Sequence, residues 1–162
     1  MITMIAAQSS NGVMGDSKTN KMPWHVSEEL KFFKAETMGK TLIMGRTTAE
    51  SVGKLPGRDA IVLSRNAHYT LDGFETMSME DFLHEYEKNP SKEYMVCGGR
   101  EIYQLFLDYA DLSIISTLNI PAKGDVYLPC LNRKNGHKFQ IVEEIEYNEF
   151  TVVKWRPWDR AK

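Results

Sequence analysis

The chain has 162 residues, of which 42% are hydrophobic and 26% charged, and its formal net charge is −2. That length suits one domain around one core, and so large an apolar share excludes a disordered chain. A charge this close to neutral supplies no broad positive field, so neither nucleic acid nor a membrane is expected as a partner.

The first element in chain order is a strand over Ile2 to Ala7, because the apolar run of MITMIAAQ is too short for a secretory core and lacks a basic start. A loop from Gly15 to Pro23 is made polar by Lys18, Thr19, Asn20 and Lys21. Val26, Leu30, Phe33 and Thr37 then recur at helical spacing and predict one buried face, with Ser27 as cap and Glu28 and Glu29 in the first turn. Thr41 to Met44 and Ala60 to Leu63 read as buried strands, the former running into Gly45-Arg46 and a helix, the latter into Ser64-Arg65. Ser78 and Asp81 form a capping pattern for a helix carrying Phe82, Leu83 and Tyr86, which Asn89-Pro90 ends. Tyr94 to Cys97 is a strand passing into Gly98-Gly99-Arg100 and a further helix. Leu112 to Thr117 is another strand, and Phe139 to Trp155 is an antiparallel hairpin around Asn148-Glu149.

Strands alternating with helices imply crossover units, hence an α/β class with a mixed, largely parallel sheet in a single domain spanning 1–162. No apolar stretch approaches the roughly 18 to 20 residues of a membrane-spanning helix. Cys97 and Cys130 lie far apart, and His25, His68, His84 and His137 have no ligand spacing, so no metal is expected. The unpaired cysteines fit a reducing cytosol, and the expected location is cytoplasmic. The nine methionines are read as fillers of core gaps.

Two strand ends carry the same device, Gly45 before Arg46 and Gly98-Gly99 before Arg100. Glycine lets an anion approach the backbone, and the start of a helix offers unpaired N–H groups, so the pair suits a dinucleotide diphosphate, although either alone can be a plain turn. Neither GxGxxG nor GxxxxGK[ST] occurs, which argues against the standard nucleotide cradles. Arg46 and Arg65 can converge on one further phosphate, or can be solvated surface charges. In Met22-Pro23-Trp24-His25-Val26-Ser27-Glu28-Glu29-Leu30, an acid follows a tryptophan at a helix start. Beside apolar surface such an acid is tuned for proton chemistry by desolvation; in the blander reading it is an ordinary first-turn charge.

Read together, MIAAQSSNGVMG, KMPWHVSEELKFFK, TLIMGRTTAESVG, LPGRDAIVLSR, MVCGGREIYQLFL and GDVYLP resemble the dihydrofolate reductases, in order and over nearly the whole chain. The resemblance implies a central mixed eight-stranded sheet flanked by about four helices, with an adenosine-binding subdomain at approximately 39–108. It also implies a monomer that reduces dihydrofolate with NADPH and binds antifolates such as methotrexate or trimethoprim. Glu29 would then hold the pterin's amino-pyrimidine edge and assist protonation of N5, supported by Ser116, with Trp24 ordering a water. Ile5, Ala6, Leu30, Phe33, Val52, Leu55 and Cys97 would line the substrate, and Arg58 would pair with its glutamate α-carboxylate. On the cofactor side the resemblance implies Ala7 at the nicotinamide amide, and Met14, Gly15, Leu63 and Cys97 among the cofactor-binding residues. Gly45, Arg46, Thr47 and Thr48 would hold phosphates, and Ser64 and Arg65 would meet the 2′-phosphate. Gly98, Gly99, Arg100, Glu101 and Ile102 would line the diphosphate, with Gly98-Gly99 cis and Tyr103 near the nicotinamide among the catalytic residues.

The sequence departs from the familiar pattern in a 15–23 loop about two residues longer, in Arg100 where a third glycine is common, in Cys97 for a larger aliphatic residue and in Ser116 for threonine. Two rival readings stand beside it: a reductase of the same fold acting on a pyrimidine intermediate of riboflavin synthesis, and a binding protein that keeps the fold without turnover. The first would not require the Trp24 to Glu29 segment, and the second would not require competent residues at every catalytic position.

Overall fold

The computed structural model describes residues 1–19, 22–131 and 138–158. Its spine is an eight-stranded sheet in the order β5-β4-β3-β6-β1-β7-β10-β9. The strands are β1 (Ile2–Gln8), β3 (Thr41–Gly45), β4 (Asp59–Leu63), β5 (Glu75–Met77), β6 (Tyr94–Val96), β7 (Leu112–Leu118), β9 (Phe139–Glu146) and β10 (Phe150–Pro157). From β5 to β7 the neighbours pair in parallel, while β10 runs antiparallel to both β7 and β9. A separate two-stranded ribbon joins β2 (Val13–Gly15) to β8 (Val126–Tyr127).

The central strands are apolar on both faces because helices cover both, as in TLIM of β3 and YMV of β6, where every residue is buried. On one face α3 (Met79–Lys88) and α4 (Arg100–Phe106) contribute Phe82 and Phe106 to a core with Ile2, Met4, Ile43 and Val96. Phe82 is fully buried, with its ring 5.0 Å from Tyr94 and 5.4 Å from Phe106, both edge-on. Truncating it to alanine would cost about 3–5 kcal/mol. On the other face α1 (Ser27–Thr37) packs Phe32 and Phe33, with Val26 just before it, against Ile5, Leu42, Ile114 and Phe150. A fourth helix, α2 (Arg46–Val52), follows β3 directly.

The mixed sheet, the four helices and the C-terminal hairpin agree with expectation, and Ser78 caps α3 by accepting from Asp81 N at 3.1 Å. The start of α1 does not agree. Val26 is the extended residue before the helix (φ −126, ψ 105) and its carbonyl accepts from Leu30 N. Ser27 is therefore already helical, and no side chain caps the helix. The expected stripe departs at one position: Val26 and Thr37 are buried and Phe33 is half-buried, but Leu30 is 40% exposed, while Glu29 is 5% exposed and Phe32 docks on Tyr147 and Phe150, at 5.8 and 6.2 Å between ring centroids. Not every methionine fills the core, since Met1, Met22 and Met38 are exposed. Among the described residues no helix is long and apolar enough to cross a membrane, and no cluster of His, Cys, Asp and Glu could hold a metal.

Candidate active site

Because β3 and β6 are parallel neighbours, both glycine devices arrive at the same sheet edge. Gly45 N donates to Gly98 O at 2.8 Å. A Cβ at Gly45 would stand 2.8 Å from Ile102 Cγ1, so the start of α4 closes against the end of β3 only when that position is bare. Gly98 has φ +111 and faces the Tyr103 ring, and the Gly98-Gly99 peptide is cis. Tyr103 is buried and donates its hydroxyl to Ile5 O at 2.6 Å; burial pushes the phenol well above its ordinary range, so its proton stays in place.

The Gly45–Leu63 register sets Arg46 beside Ser64 and Arg65 on the adjoining strand end. Arg46, Thr47, Arg65, Arg100 and Glu101 are exposed, Thr48, Ser64, Gly99 and Ile102 are half-buried, and Leu63 is buried. Arg100 reaches the ribbon, donating Nη1 to Tyr127 O at 2.7 Å. Met14 and Gly15 lie on that ribbon. Just beyond it Ser17 donates its N–H to Asp125 Oδ1 at 2.8 Å and its hydroxyl to Oδ2, bonds that hold the Asp125 carboxyl below its usual range. Asn20 and Lys21 of the expected loop, and His137, lie outside the described residues.

At the start of α1, Glu29 lines a cavity of about 50 Å³ with Met22, Trp24, His25, Val26 and Leu30. Desolvation pushes its carboxyl up; the Ser116 hydroxyl is near enough to oppose this without completing a hydrogen bond of normal geometry. Ser116 stands on β7 opposite Ala7 of β1, on the face α1 covers. Trp24 Nε1 and Ser116 Oγ are buried with no hydrogen-bond partner among the described residues. Orphaned polar atoms on either side of a buried carboxyl are the mark of a site completed by a polar ligand or ordered solvent. Cys97, packed between the glycine edge and this cavity, has its thiol pushed up to about 12 by burial and donates to Met95 O. Ile5 is buried in the same face, Ala6, Phe33 and Leu55 are half-buried, and Val52 is exposed at the end of α2.

Arg58 is buried at 7% exposure and tied to the far end of α1. Its Nη1 donates to Thr37 Oγ1 at 3.1 Å, Thr37 in turn donates to Phe33 O, and Arg58 Nε donates to Pro56 O. No carboxylate pairs with Arg58 among the described residues. A buried guanidinium held only by neutral acceptors keeps donors and a full charge for an anion from outside.

A family model described as dihydrofolate reductase matches residues 1–155. The chain is 41% identical over 145 residues to the dihydrofolate reductase of Neisseria meningitidis serogroup A, covering 88% of this chain and 87% of that one. It is 32% identical over 162 residues to the Mycoplasma genitalium enzyme of the same name, covering 96% and 98%. The chain belongs to the dihydrofolate reductase family. Its fold matches that of the Enterococcus faecalis dihydrofolate reductase complexed with NADP(H) and RAB-propyl, with a TM-score of 0.85, 27% identity and coverage of 98% of this chain and 97% of that one.

Membership of the dihydrofolate reductase family sets aside the riboflavin-type reductase and gives the Trp24 to Glu29 segment its context. The structure adds residues that sequence reading passed over: Met22, His25 and Val26 around the cavity, Thr37 behind Arg58, and Asp125 against the 15–23 loop. The apolar 26–37 periodicity gave access to Val26. The same periodicity includes Thr37, but its contact with Arg58, 21 positions away, and that of Asp125 with Ser17, 108 positions away, carry no local signal.

Proposed function

We propose that this chain reduces 7,8-dihydrofolate to 5,6,7,8-tetrahydrofolate with NADPH, at the cleft between α1 and the carboxyl ends of β1, β3, β6 and β7. One observation carries the reading. A buried carboxyl in the first turn of α1, Glu29, and a buried guanidinium with no carboxylate partner among the described residues, Arg58 bonded to Thr37 in the last turn, stand at the two ends of the same helix. Their anchor residues are eight positions apart, about 12 Å along the helix at ~1.5 Å per residue. That arrangement fits an elongated ligand with a hydrogen-bonding ring at one end and a carboxylate at the other.

Glu29 holds the amino-pyrimidine edge and, with its raised pKa, keeps a proton available near the ring, helping N5 to be protonated as the neighbouring carbon accepts hydride. Trp24 Nε1 and Ser116 Oγ orient solvent and ring polar atoms around it. Leu30, Phe33, Val52 and Leu55 wall the ring and the benzoyl group, and Arg58 pairs with the glutamate carboxylate. The glycine edge fits a dinucleotide, because Gly45, Gly98 and Gly99 leave these strand ends without side chains and Arg46, Ser64 and Arg65 stand on adjoining strand ends. When bound, NADPH supplies the hydride. Gly45, Thr47, Thr48, Gly98, Gly99, Arg100, Glu101 and Ile102 hold its phosphates, Arg46, Leu63, Ser64 and Arg65 the 2′-phosphate end, and Ala7, Met14, Gly15 and Cys97 the nicotinamide end. Tyr103 serves as a positioning group, since its hydroxyl is engaged with Ile5 O. The 39–108 stretch forms the adenosine-binding half, and a cytoplasmic monomer suffices for all of this.

The test follows NADPH oxidation at 340 nm with dihydrofolate, with and without methotrexate. Turnover that methotrexate abolishes supports the proposal. Tight binding of both ligands with no oxidation would favour the binding protein without turnover.

A further inference from the structure

Arg46 is the first residue of α2, where a positive charge opposes the helix dipole, and no acid occupies that first turn. Its ion pair does not repair this. Arg46 and Glu50 are an i,i+4 pair with the cation N-terminal, the weaker order, and their side chains are 61% and 47% exposed, where such pairs contribute little stability. Yet the guanidinium is held from two directions. Nε donates to Glu50 Oε1 at 3.0 Å, and Cζ lies 4.6 Å from the centroid of the Tyr69 ring. The Tyr69 hydroxyl donates to the same Oε1 at 2.7 Å, so both donors converge on one carboxylate oxygen. Nε alone is used within the chain among the described residues, which leaves the Nη1 and Nη2 donors for an external oxyanion.

We infer that Tyr69 and Glu50 are positioning residues for cofactor selectivity: together they fix the Arg46 guanidinium so that its terminal amino groups meet a phosphate monoester on the adenosine ribose. This rests on the proposed role of Arg46 at the 2′-phosphate. Tyr69 is only half-buried, its ring resting on the α1-side core, so the loop after β4 has a firm base from which to hold an exposed cation. An arginine free to swing would lose side-chain entropy when the phosphate binds; one already stacked and bonded has lost it beforehand. The benefit goes only to a ligand carrying the phosphate, so the pair acts on the choice between phosphorylated and unphosphorylated cofactor. Chemistry at the far end of the cleft is untouched.

The experiment measures Kd for NADPH and NADH, and for the probes 2′,5′-ADP and 5′-AMP, together with kcat and the KM for dihydrofolate. It uses wild type, Tyr69→Phe, Tyr69→Leu, Glu50→Ala, Arg46→Ala and the Arg46→Ala/Tyr69→Leu double variant. Tyr69→Leu is expected to weaken NADPH and 2′,5′-ADP about tenfold, with NADH and 5′-AMP moving less than about twofold. Tyr69→Phe, which keeps the ring and the fold but loses the hydroxyl, is expected to lie between, and Glu50→Ala to resemble it. In the Arg46→Ala background Tyr69→Leu should have no further effect on NADPH, the non-additivity of residues acting through one group. If Arg46→Ala is selective for NADPH while Tyr69→Leu and Tyr69→Phe are not, the positioning role is overturned and the phosphate role of Arg46 stands. If Arg46→Ala weakens both cofactors equally, the phosphate role falls and this inference with it. Equal loss of NADPH and NADH in the Tyr69 variants would mark Tyr69 as a fold residue only and overturn the inference.

Discussion

The two ends of the cleft are built on opposite electrostatic plans. At the proposed pterin end one carboxyl, Glu29, is 5% exposed among apolar side chains, and the buried Trp24 Nε1 and Ser116 Oγ have no hydrogen-bond partner among the described residues. At the proposed adenosine end the charges are exposed arginines, with the Arg46 side chain 61% exposed and a neighbouring carboxylate and ring to hold it. Water screens charge and offers substitute partners, so a solvated site spreads its work over several weak contacts, each replaceable in part. A dry site concentrates it on one group for which nothing can stand in. Mutational sensitivity should therefore fall steeply from Glu29 through Arg58 to Arg46.

The largest effect belongs to Glu29→Gln. Glutamine keeps the size and a hydrogen-bonding end but cannot ionise, so kcat/KM for dihydrofolate at neutral pH should drop about a thousandfold while NADPH affinity stays near wild type. Proton supply from solvent rises as pH falls, so the mutant should regain part of its rate in acid. Glu28→Gln, one residue away on the wetter side of α1, should change little. A crippled Glu28→Gln with a healthy Glu29→Gln in the same pH series would reverse the assignment and with it the helix phase.

Arg58 lies between the extremes, as dry as Glu29 but, in the proposed binding mode, far from the reacting carbon. Arg58→Ala should raise the KM for dihydrofolate on the order of a hundredfold with a smaller change in kcat, the pattern of lost binding away from the chemistry. Removing the glutamate from the substrate should then cost the mutant little more. If wild type and mutant lose the same factor on that truncation, the carboxylate is held elsewhere.

How much of this was legible in the sequence follows the range of the interactions. Strand cores, each glycine turn and the Ser78 cap rest on residues within a few positions of one another, and the pattern along the chain contains them; the meeting of Gly45 with Gly98 does not, because it depends on β3 lying beside β6. The start of α1 differs by one residue because capping preference favours serine, whereas Val26 takes the extended position before the helix and its carbonyl accepts from Leu30 N. Thr37 beneath Arg58, Tyr69 against Glu50 and Asp125 on Ser17 join residues 21, 19 and 108 positions apart, and no local pattern announces them. Short β5, three residues long, was invisible for want of a period to count.

A milder break of the comparison comes from the solvated end. Replacing Arg46 and Arg65 together by alanine should weaken NADPH on the order of thirtyfold and NADH by less than about threefold, since each exposed charge-assisted contact contributes modestly. Raising salt should narrow the wild-type preference for NADPH in the same direction, because exposed ion pairs are screened and the pterin end is not. Equal losses for both cofactors would show that these arginines serve the diphosphate or the fold instead.

The smallest effect, and the sharpest check on the dry end, is on stability without ligand. Burial raises the Glu29 pKa above its ordinary value of 4.5, so the folded chain holds this proton more tightly than the unfolded one. Where the folded state binds more protons than the unfolded state, stability falls as pH rises. The contribution of Glu29 is thus fully present below the ordinary carboxylate range and is lost as pH climbs through its raised pKa, after which the loss stays constant. Asp125, held low by Ser17, works in the opposite sense at more acid pH, and its contribution is common to wild type and mutant. Subtracting the Tm of wild type from that of Glu29→Gln across pH therefore isolates Glu29: the difference should be smallest in acid, grow in favour of the mutant from about pH 4.5 upward, and level off once Glu29 is ionised in the folded state. A difference that does not vary with pH would mean that Glu29 is not held in a desolvated site, and the contrast between the two ends of the cleft would fail where it is drawn most strongly.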